Sequence, residues 1–289
     1  MQSTASLKQK IKRKKMYDKL ANILLFVIVL LVIFPIIWMI YTSLLTQNQI
    51  ATGKIGLPNN FKNYIDMWRN INFFHYFKNS IIVCSITTLI ALTIAIFAGY
   101  ALARFKFPGA NLFGASVLAT QMVPGIMFLL PLYLLYIKIQ EITGIKLINT
   151  YYGLIIVYSA FFIPLSIWVI RGFFASIPKE LEEAAVLDGC TKFQAFTKII
   201  LPISKVGIIA TGIYIFLLAW DELIFAWVLT TSPDVATIPV GIRLYVGNYQ
   251  NRYDLLMSAG VVTTLPVMVI FFALQKQFIQ GMTSGAVKG

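Results

Sequence analysis

Charged residues, cysteine and histidine are scarce in this sequence, and each scarcity excludes a class of protein. Only 12% of the 289 residues are charged, against roughly 25% in soluble domains. The two cysteines, Cys84 and Cys190, fall in an apolar run and in a polar loop, so a disulfide between them is implausible. The single histidine, His75, has no second type of metal ligand at a useful spacing. We therefore expect no disulfide framework, no metal site and no ordinary soluble fold.

Long apolar runs take the place of charge, since 58% of the residues are hydrophobic and the mean hydropathy is +0.79. An uncharged run of about 18 or more apolar residues is typical of a bilayer-spanning helix. Prolines inside the runs indicate a packed bundle, because neighbouring helices must satisfy the freed backbone groups. The sequence predicts an all-α membrane protein with six transmembrane helices, at about 21–45, 79–103, 112–137, 151–170, 206–230 and 257–275.

The formal net charge of +13 is concentrated between these runs and in a basic tail at residues 1–20. The first run is longer than a signal-peptide core of about 7–15 residues, so we predict an uncleaved span that opens a transmembrane domain at 21–289. With both termini in the cytoplasm, 16 of the 24 Lys and Arg residues lie inside, as the positive-inside rule expects. Membrane topology explains this charge better than nucleic-acid binding does.

Small residues recur at every fourth position of the second span, at Ala91, Ala95, Gly99 and Ala103. Such a stripe allows two helices to approach closely in lipid. We predict that it is a helix-packing face and not a chemical site.

The predicted cytoplasmic loop at about 172–205 has the pattern of two short helices. Pro178 suits a first helical turn, and Gly189 suits the left-handed residue that ends a helix. Thr191 and Gln194 match a capping box that opens a second helix, which Pro202 is expected to end. One apolar face of that second helix is predicted from Phe193, Phe196 and Ile200.

This helix pair can bind either the lipid surface or another protein. Four acidic residues argue against an interfacial helix, because the cytoplasmic leaflet is negatively charged. They are Glu180, Glu182, Glu183 and Asp188. A protein partner below the membrane fits the charge better.

The loop resembles the EAA loop of ABC importer permeases, through Glu183-Ala184-Ala185, Asp188-Gly189 and Leu201-Pro202. Cys190 and Val206 depart mildly from the alanine and proline usual in that family. The resemblance covers nearly all of the chain after the first span and points to the carbohydrate-type branch, which is similar to maltose permease G. Its further motifs are Asn63-Tyr64, Asn79-Ser80, Tyr100-Ala101-Leu102-Ala103-Arg104, Arg171-Gly172-Phe173-Phe174, Ile177-Pro178-Lys179-Glu180-Leu181, Ile238-Pro239-Val240-Gly241 and the ending from Gly281 to Gly289.

The resemblance implies a type I ABC importer permease fold with a cytoplasmic coupling helix. It also implies a second homologous permease, two ATPase subunits that bind ATP and Mg²⁺, and an extracytoplasmic solute-binding protein. The sequence contains no G-x-x-x-x-G-K-[S/T] phosphate loop, so we expect this chain to bind no nucleotide and to have no catalytic residue. The implied ATPase-coupling residues are Glu183, Ala184, Ala185, Asp188 and Gly189.

The C-terminal segment at about 276–289 is too polar for the bilayer and is expected in the cytoplasm. The resemblance implies that it reaches between the ATPase subunits. A frayed terminus is the alternative.

Asp221 and Glu222 lie inside the predicted fifth span. A charge at the bilayer centre costs about 2.5–3.5 kcal/mol on insertion scales, so both are expected to face the bundle interior, water or a polar partner. Consecutive helical residues point about 100° apart. One acid can therefore line a solute path while the other fixes a neighbouring helix.

Two tryptophans and a glutamine are further candidates near these acids. Trp220 and Trp227 are seven residues apart and are predicted to share a helix face, where an indole ring can stack on a sugar. Core packing and anchoring at the membrane interface are the competing roles. Gln121, near Pro124, is predicted to be a buried polar residue. The solute-path candidates are Asp221, Glu222, Trp220 and Gln121.

Two other functional classes fit the sequence less well. A secondary transporter needs more coupled ionisable groups in its spans and no docking loop, and a membrane enzyme needs convergent catalytic groups. We predict import of a sugar, oligosaccharide or polyol. The alternative is the same architecture importing a glycerophosphodiester, an acidic oligosaccharide or a peptide.

Overall fold

A computed structural model of the chain describes residues 2–54, 56–247 and 251–284, and within them it contains helices and no β-strand. Its α-helices are α1 (Gln2–Ser43), α2 (Gln47–Thr52), α3 (Asn63–Asn70), α4 (Phe73–Arg104), α5 (Ala110–Ala119), α6 (Leu129–Thr143), α7 (Tyr151–Ser176), α8 (Glu180–Leu187), α9 (Lys192–Ala195), α10 (Leu201–Ile203), α11 (Lys205–Trp220), α12 (Ile224–Leu229), α13 (Ile238–Ile242) and α14 (Tyr253–Ser284). The predicted C-terminal segment falls in the last part of α14, and its final residues, 285–289, lie outside the described residues.

Long apolar helices confirm the predicted membrane fold. Five helical stretches are long and apolar enough to cross a bilayer, and the bent pair Lys192–Ile203 and Lys205–Trp220 makes a sixth if it is one span. The five are Lys14–Ser43, Phe73–Arg104, Gly125–Thr143, Tyr151–Ser176 and Tyr253–Gln275. Three of the predicted spans lie within these helices, the first, at 21–45, ends two residues beyond its helix, and two, at 112–137 and 206–230, have the wrong bounds.

The predicted span at 112–137 is interrupted at Pro124. Helix α5 ends at Ala119, and two 3₁₀ turns follow before α6 begins at Leu129. Val123 has φ −87° and ψ 124°, because the ring of a following proline disfavours the helical region for the residue before it. The apolar stretch that can cross the bilayer therefore starts at Gly125.

The predicted span at 206–230 is interrupted at Asp221. Helix α11 has 16 residues and is about 24 Å long, less than the bilayer's apolar core of about 30 Å. Its C-cap is Asp221, and the short helix α12 follows from Ile224.

The helix predicted to end at Pro202 continues through Ile203. A π-helical turn at Phe196–Ile200 precedes the proline, and the chain bends by 72° between Ile203 and Lys205. Prolines and π-turns are the common causes of sharp bends in helices. The helix therefore ends one residue after the predicted Pro202, and the chain turns there into α11.

The described chain divides into two compact units. One is formed within residues 1–67 and 248–262, and the other within 68–247 and 263–289. The second unit contains the predicted coupling loop and all the solute-path candidates.

In the first unit, polar contacts surround the C-terminal end of α1. The Asn63 Nδ2 donates to the Ser43 carbonyl at 2.8 Å, and the Ser258 hydroxyl donates to the same oxygen at 3.1 Å. Asp254, which is 2% exposed, accepts two 2.9 Å hydrogen bonds from Arg252. The bonds from Asn63 and Ser258 satisfy a carbonyl at the helix end that would otherwise lack a partner.

In the second unit, the stripe of small residues is the contact face of α4 with α7. Ala91 and Ala95 are fully buried. A Cβ added to Gly99 would lie 2.9 Å from Ile170 Cγ2 and 3.0 Å from the Arg171 backbone nitrogen. The predicted packing role of the stripe is confirmed, because only glycine permits this approach.

The start of α4 holds a loop at the opposite end of the unit from Arg104. Helix α4 has 32 residues and is therefore about 48 Å long. The Asn79 Nδ2 donates to the Ala236 carbonyl at 2.9 Å, and the Ser80 hydroxyl accepts from the Ile238 N–H at 2.8 Å. Two of the sequence motifs, Asn79-Ser80 and the one beginning at Ile238, thus meet in space.

We predict that Gly99→Ala destabilises the chain by about 1–3 kcal/mol more than Gly172→Ala does, because only the Gly99 Cβ would overpack a helix contact. A Cβ at Gly172 meets no atom within 4 Å. Both changes share the helix-propensity gain of alanine over glycine, so their difference reports packing alone. Denaturant titration in detergent micelles measures the free energies of unfolding. Equal values for the two variants would contradict the close approach.

Candidate functional site

Helix α8 ends in a Schellman motif centred on Gly189. The Gly189 N–H donates to the Val186 carbonyl at 3.1 Å, and the Cys190 N–H donates to the Ala185 carbonyl at 3.0 Å. Gly189 has φ +90°, the left-handed conformation that this motif requires and that a side chain disfavours. The predicted helix end is confirmed.

The capping box at the start of α9 is confirmed as well. The Thr191 N–H donates to Gln194 Oε1 at 2.8 Å, and the Gln194 N–H donates to Thr191 Oγ1 at 3.2 Å. Phe196 and Ile200 are buried, whereas Phe193 is 66% exposed. The predicted apolar face is therefore wrong at Phe193, which lies beside Phe196 but outside the core.

The five predicted coupling residues divide between the two sides of α8. Ala185 is 4% exposed and is the only buried residue of this fully described helix. Glu183, Ala184, Asp188 and Gly189 are exposed. We call the exposed side the outer face of α8.

Arg104, the last residue of α4, contacts the predicted coupling loop (172–205, called the coupling segment below) at two points. Its Nε donates to Glu182 Oε1 and its Nη2 donates to the Ile177 carbonyl, each at 3.0 Å. The side chains of Arg104 and Glu182 are 5% and 17% exposed. In the sequence Arg104 stood out only as part of a motif, and its position at the predicted cytoplasmic end of a span was the available signal.

Glu222 caps the short helix α12. Its Oε1 accepts from the Phe225 N–H at 2.9 Å, and its Oε2 accepts from the Ala226 N–H at 3.0 Å and from the Tyr158 hydroxyl at 2.8 Å. Tyr158 belongs to α7 and is 1% exposed. Glu222 therefore joins two helices, as expected for one of the two acids, although the sequence did not indicate Tyr158 as its partner.

Asp221 differs from its neighbour, because its side chain is exposed. No described residue forms a hydrogen bond or an ion pair with its carboxylate. The two acids lie where α11 stops and α12 has not begun, so they are not consecutive residues of one helix as predicted.

The two tryptophans do not share a helix face, because the chain breaks between them. Trp220 is 4% exposed and stacks on Phe216 with ring centroids 5.5 Å apart. Trp227 is 54% exposed, and the guanidinium carbon of Arg243 lies 3.5 Å from its ring centroid. In this chain Trp220 is a packing residue, and Trp227 carries a cation–π contact.

Gln121 is exposed and not buried as predicted. It lies in the 3₁₀ turn Thr120–Met122, and its Nε2 donates to the Phe161 carbonyl at 3.3 Å. It borders an apolar cleft of about 440 Å³ between α6 and α7. In the part of the chain that the structure describes, no three metal-ligating side chains of His, Cys, Asp or Glu lie together.

Comparison with known proteins agrees with this architecture. The trehalose/maltose transport system permease protein MalG of Thermococcus litoralis is 33% identical over 261 residues, which cover 89% of this chain and 92% of that protein. The trehalose transport system permease protein SugB of Mycobacterium tuberculosis is 35% identical, with 89% and 93% covered. A solved bacterial ABC transporter involved in the import of the acidic polysaccharide alginate has the same fold, with a TM-score of 0.78, 19% identity and coverage of 92% of this chain and 98% of that one.

Residues 91–284, which include both α8 and the helix break at Asp221, match a family of transport components. The chain therefore belongs to the family described as binding-protein-dependent transport system inner membrane component.

Proposed function

We propose that this chain is the permease subunit of an ABC importer and that the outer face of α8 binds an ATPase subunit. The proposal rests on the exposure of Glu183, Ala184 and Asp188 in and beside α8. Backbone hydrogen bonds fix both ends of this helix. Leu187, next to them, is 88% exposed. Leu181 and Val186 of the same helix are exposed as well, and exposed apolar side chains grouped among polar ones mark a protein-binding surface.

The proposed assembly contains a second permease, two ATPase subunits that bind ATP and Mg²⁺, and an extracytoplasmic solute-binding protein. The family description supports the last of these. In this assembly ATP hydrolysis belongs to the ATPase subunits, and this chain supplies half of the path across the membrane.

The proposed solute is a sugar, an oligosaccharide or a polyol. Relatives at 33% and 35% identity are named for trehalose and maltose transport. Sugars are neutral and rich in hydroxyl groups, so they match an open acceptor such as the Asp221 carboxylate. Calorimetric titration of the transporter's solute-binding protein with trehalose and maltose tests this class.

The proposed orientation places both termini and α8 in the cytoplasm, where ATP is present. The Arg104–Glu182 contact supports one part of it, because it holds the end of α4 and α8 on the same side of the membrane. The basic tail at 1–20 is expected on the same side.

The orientation predicts the reactivity of cysteines placed at Ser176 and Thr52 in a chain lacking Cys84 and Cys190. In intact cells, an impermeant thiol reagent should label the Thr52→Cys chain and leave the Ser176→Cys chain unlabelled. Both positions are exposed, so both should react after lysis. Labelling at Ser176 in intact cells would overturn the orientation and the docking proposal.

We predict that Gly189→Val abolishes coupling to the ATPase, because it forces a β-branched residue into a left-handed turn at a strain of about 1–2 kcal/mol. Glu183→Lys should do the same by reversing a charge on the outer face. Gly144→Val is the matched control, since Gly144 has φ +74° and open space around it, as Gly189 does. The measurements are copurification of the ATPase and its stimulation by solute-loaded binding protein. Equal behaviour of the Gly189 and Gly144 variants would refute the proposal.

The two acids of the helix break should respond differently to substitution. Asp221→Asn should be tolerated, and Asp221→Leu should reduce uptake with assembly intact, because only the second change removes the polar group from the path. Glu222→Leu should lower stability by about 1–3 kcal/mol, because it leaves buried donors unpaired. Uptake by reconstituted complex and unfolding in micelles separate the two effects. Wild-type uptake with Asp221→Leu would remove Asp221 from the path.

A further inference from the structure

The Arg104 guanidinium lies where three helices meet. Arg104 ends α4, Ile177 is the C-cap of α7, and Glu182 belongs to the first turn of α8. A cation at a helix C-terminus and an acid at a helix N-terminus both interact favourably with the helix dipoles. Arginine can reach both partners because its donors diverge from a rigid plane, which the ammonium group of lysine cannot reproduce.

Packing against α4 contributes little to the position of α8, which instead contacts α9 and the π-helical turn Phe196–Ile200. Ala185 is its single buried residue, and a cavity of about 690 Å³ separates much of it from the end of α4. Arg104 and Glu182 line that cavity and join across it. The orientation of α8 relative to α4 therefore depends on this ion pair more than on apolar contacts.

The chain after Gly189 is held by apolar packing and not by an ion pair. Phe196 packs in the core with Phe174 and Ile170, and its ring centroid lies 4.3 Å from that of Tyr100. The coupling segment thus has one end packed in the core and one end, α8, attached through Arg104.

We infer that Arg104 is a positioning residue that makes α8 follow the movement of α4. This rests on the proposed docking of α8 to an ATPase subunit. Helix α4 is continuous from Phe73 to Arg104, and Asn79 and Ser80 near its start hold the loop at 233–238. One helix therefore connects the loop on the far side with the ATPase-binding helix, through contacts at both of its ends.

The test uses the assembled transporter in proteoliposomes with Arg104→Gln, Glu182→Gln and their combination. Each variant should bind the ATPase and keep basal hydrolysis, but stimulation by trehalose-loaded binding protein should fall about fivefold or more, the range of allosteric coupling. The double variant should be no worse than either single one if the two residues act through each other. Arg104→Lys, which keeps the charge, should be intermediate. Lys106→Gln, an exposed cation two residues further on, should match the wild type.

A second measurement needs no solute. Spin labels at Lys106 and Glu180, in a chain lacking Cys84 and Cys190, report the distance between the end of α4 and α8 in the assembled complex. In the wild type we expect one narrow distribution of the distance between the labels, with and without ATP. In Arg104→Gln we expect a broadened distribution. If that variant fails to assemble, Glu182→Gln should show the same broadening. An unchanged distribution together with wild-type stimulation would overturn the inference. A wild-type chain that binds no ATPase would instead refute the proposed function.

Discussion

The close approach of α4 and α7 is the constraint on which the second unit depends. Water drives no helix association inside a bilayer, so dispersion contacts and interhelical hydrogen bonds must do so. Gly99 permits this approach by presenting only backbone to Ile170 and Arg171. Helix α11 also approaches α4 closely at a glycine, since a Cβ on its Gly212 would lie 3.2 Å from Leu92 of α4. The loops and short helices attach to the pair that results.

The polar contacts of α4 with other elements described above lie near its two ends. Asn79 and Ser80 bind the loop near the start of α4, and Arg104 binds the coupling segment at its other end. Helix ends are where backbone groups lack partners and where water can reach, so polar side chains are useful there and costly in the middle. A rigid helix with specific contacts at both ends is suited to carrying movement across a membrane.

The break between α11 and α12 gives two adjacent acids different surroundings. A helix that begins within the bilayer leaves its first N–H groups without partners, and Glu222 accepts two of those of α12. Asp221, one residue earlier, is left exposed beside this cap. An acid is costly to insert into a bilayer. For Glu222 this cost is offset by its hydrogen bonds to α12 and Tyr158. The carboxylate of Asp221 is left open to a ligand.

Local features of this protein were predictable because their causes lie within a few residues. The apolar runs, the left-handed Gly189 and the capping box of Thr191 and Gln194 each follow from neighbouring side chains. Even the helix break before Pro124 has a local cause, because a proline disfavours helical backbone at the residue before it. The continuous hydrophobic run led instead to the prediction of one unbroken span.

The contacts that decide the candidate site have no such local cause. Arg104 and Glu182 are 78 residues apart, Tyr158 and Glu222 are 64 apart, and neither pair follows from spacing along the chain. The exposure of Gln121 and the burial of Trp220 likewise depend on which helices lie beside them. The sequence by itself determined the membrane class, the main helices and the two short helices on either side of Gly189, since hydrophobicity and capping act locally. Only the tertiary structure decided which acid is bonded and which is free, because that depends on donors brought from distant helices.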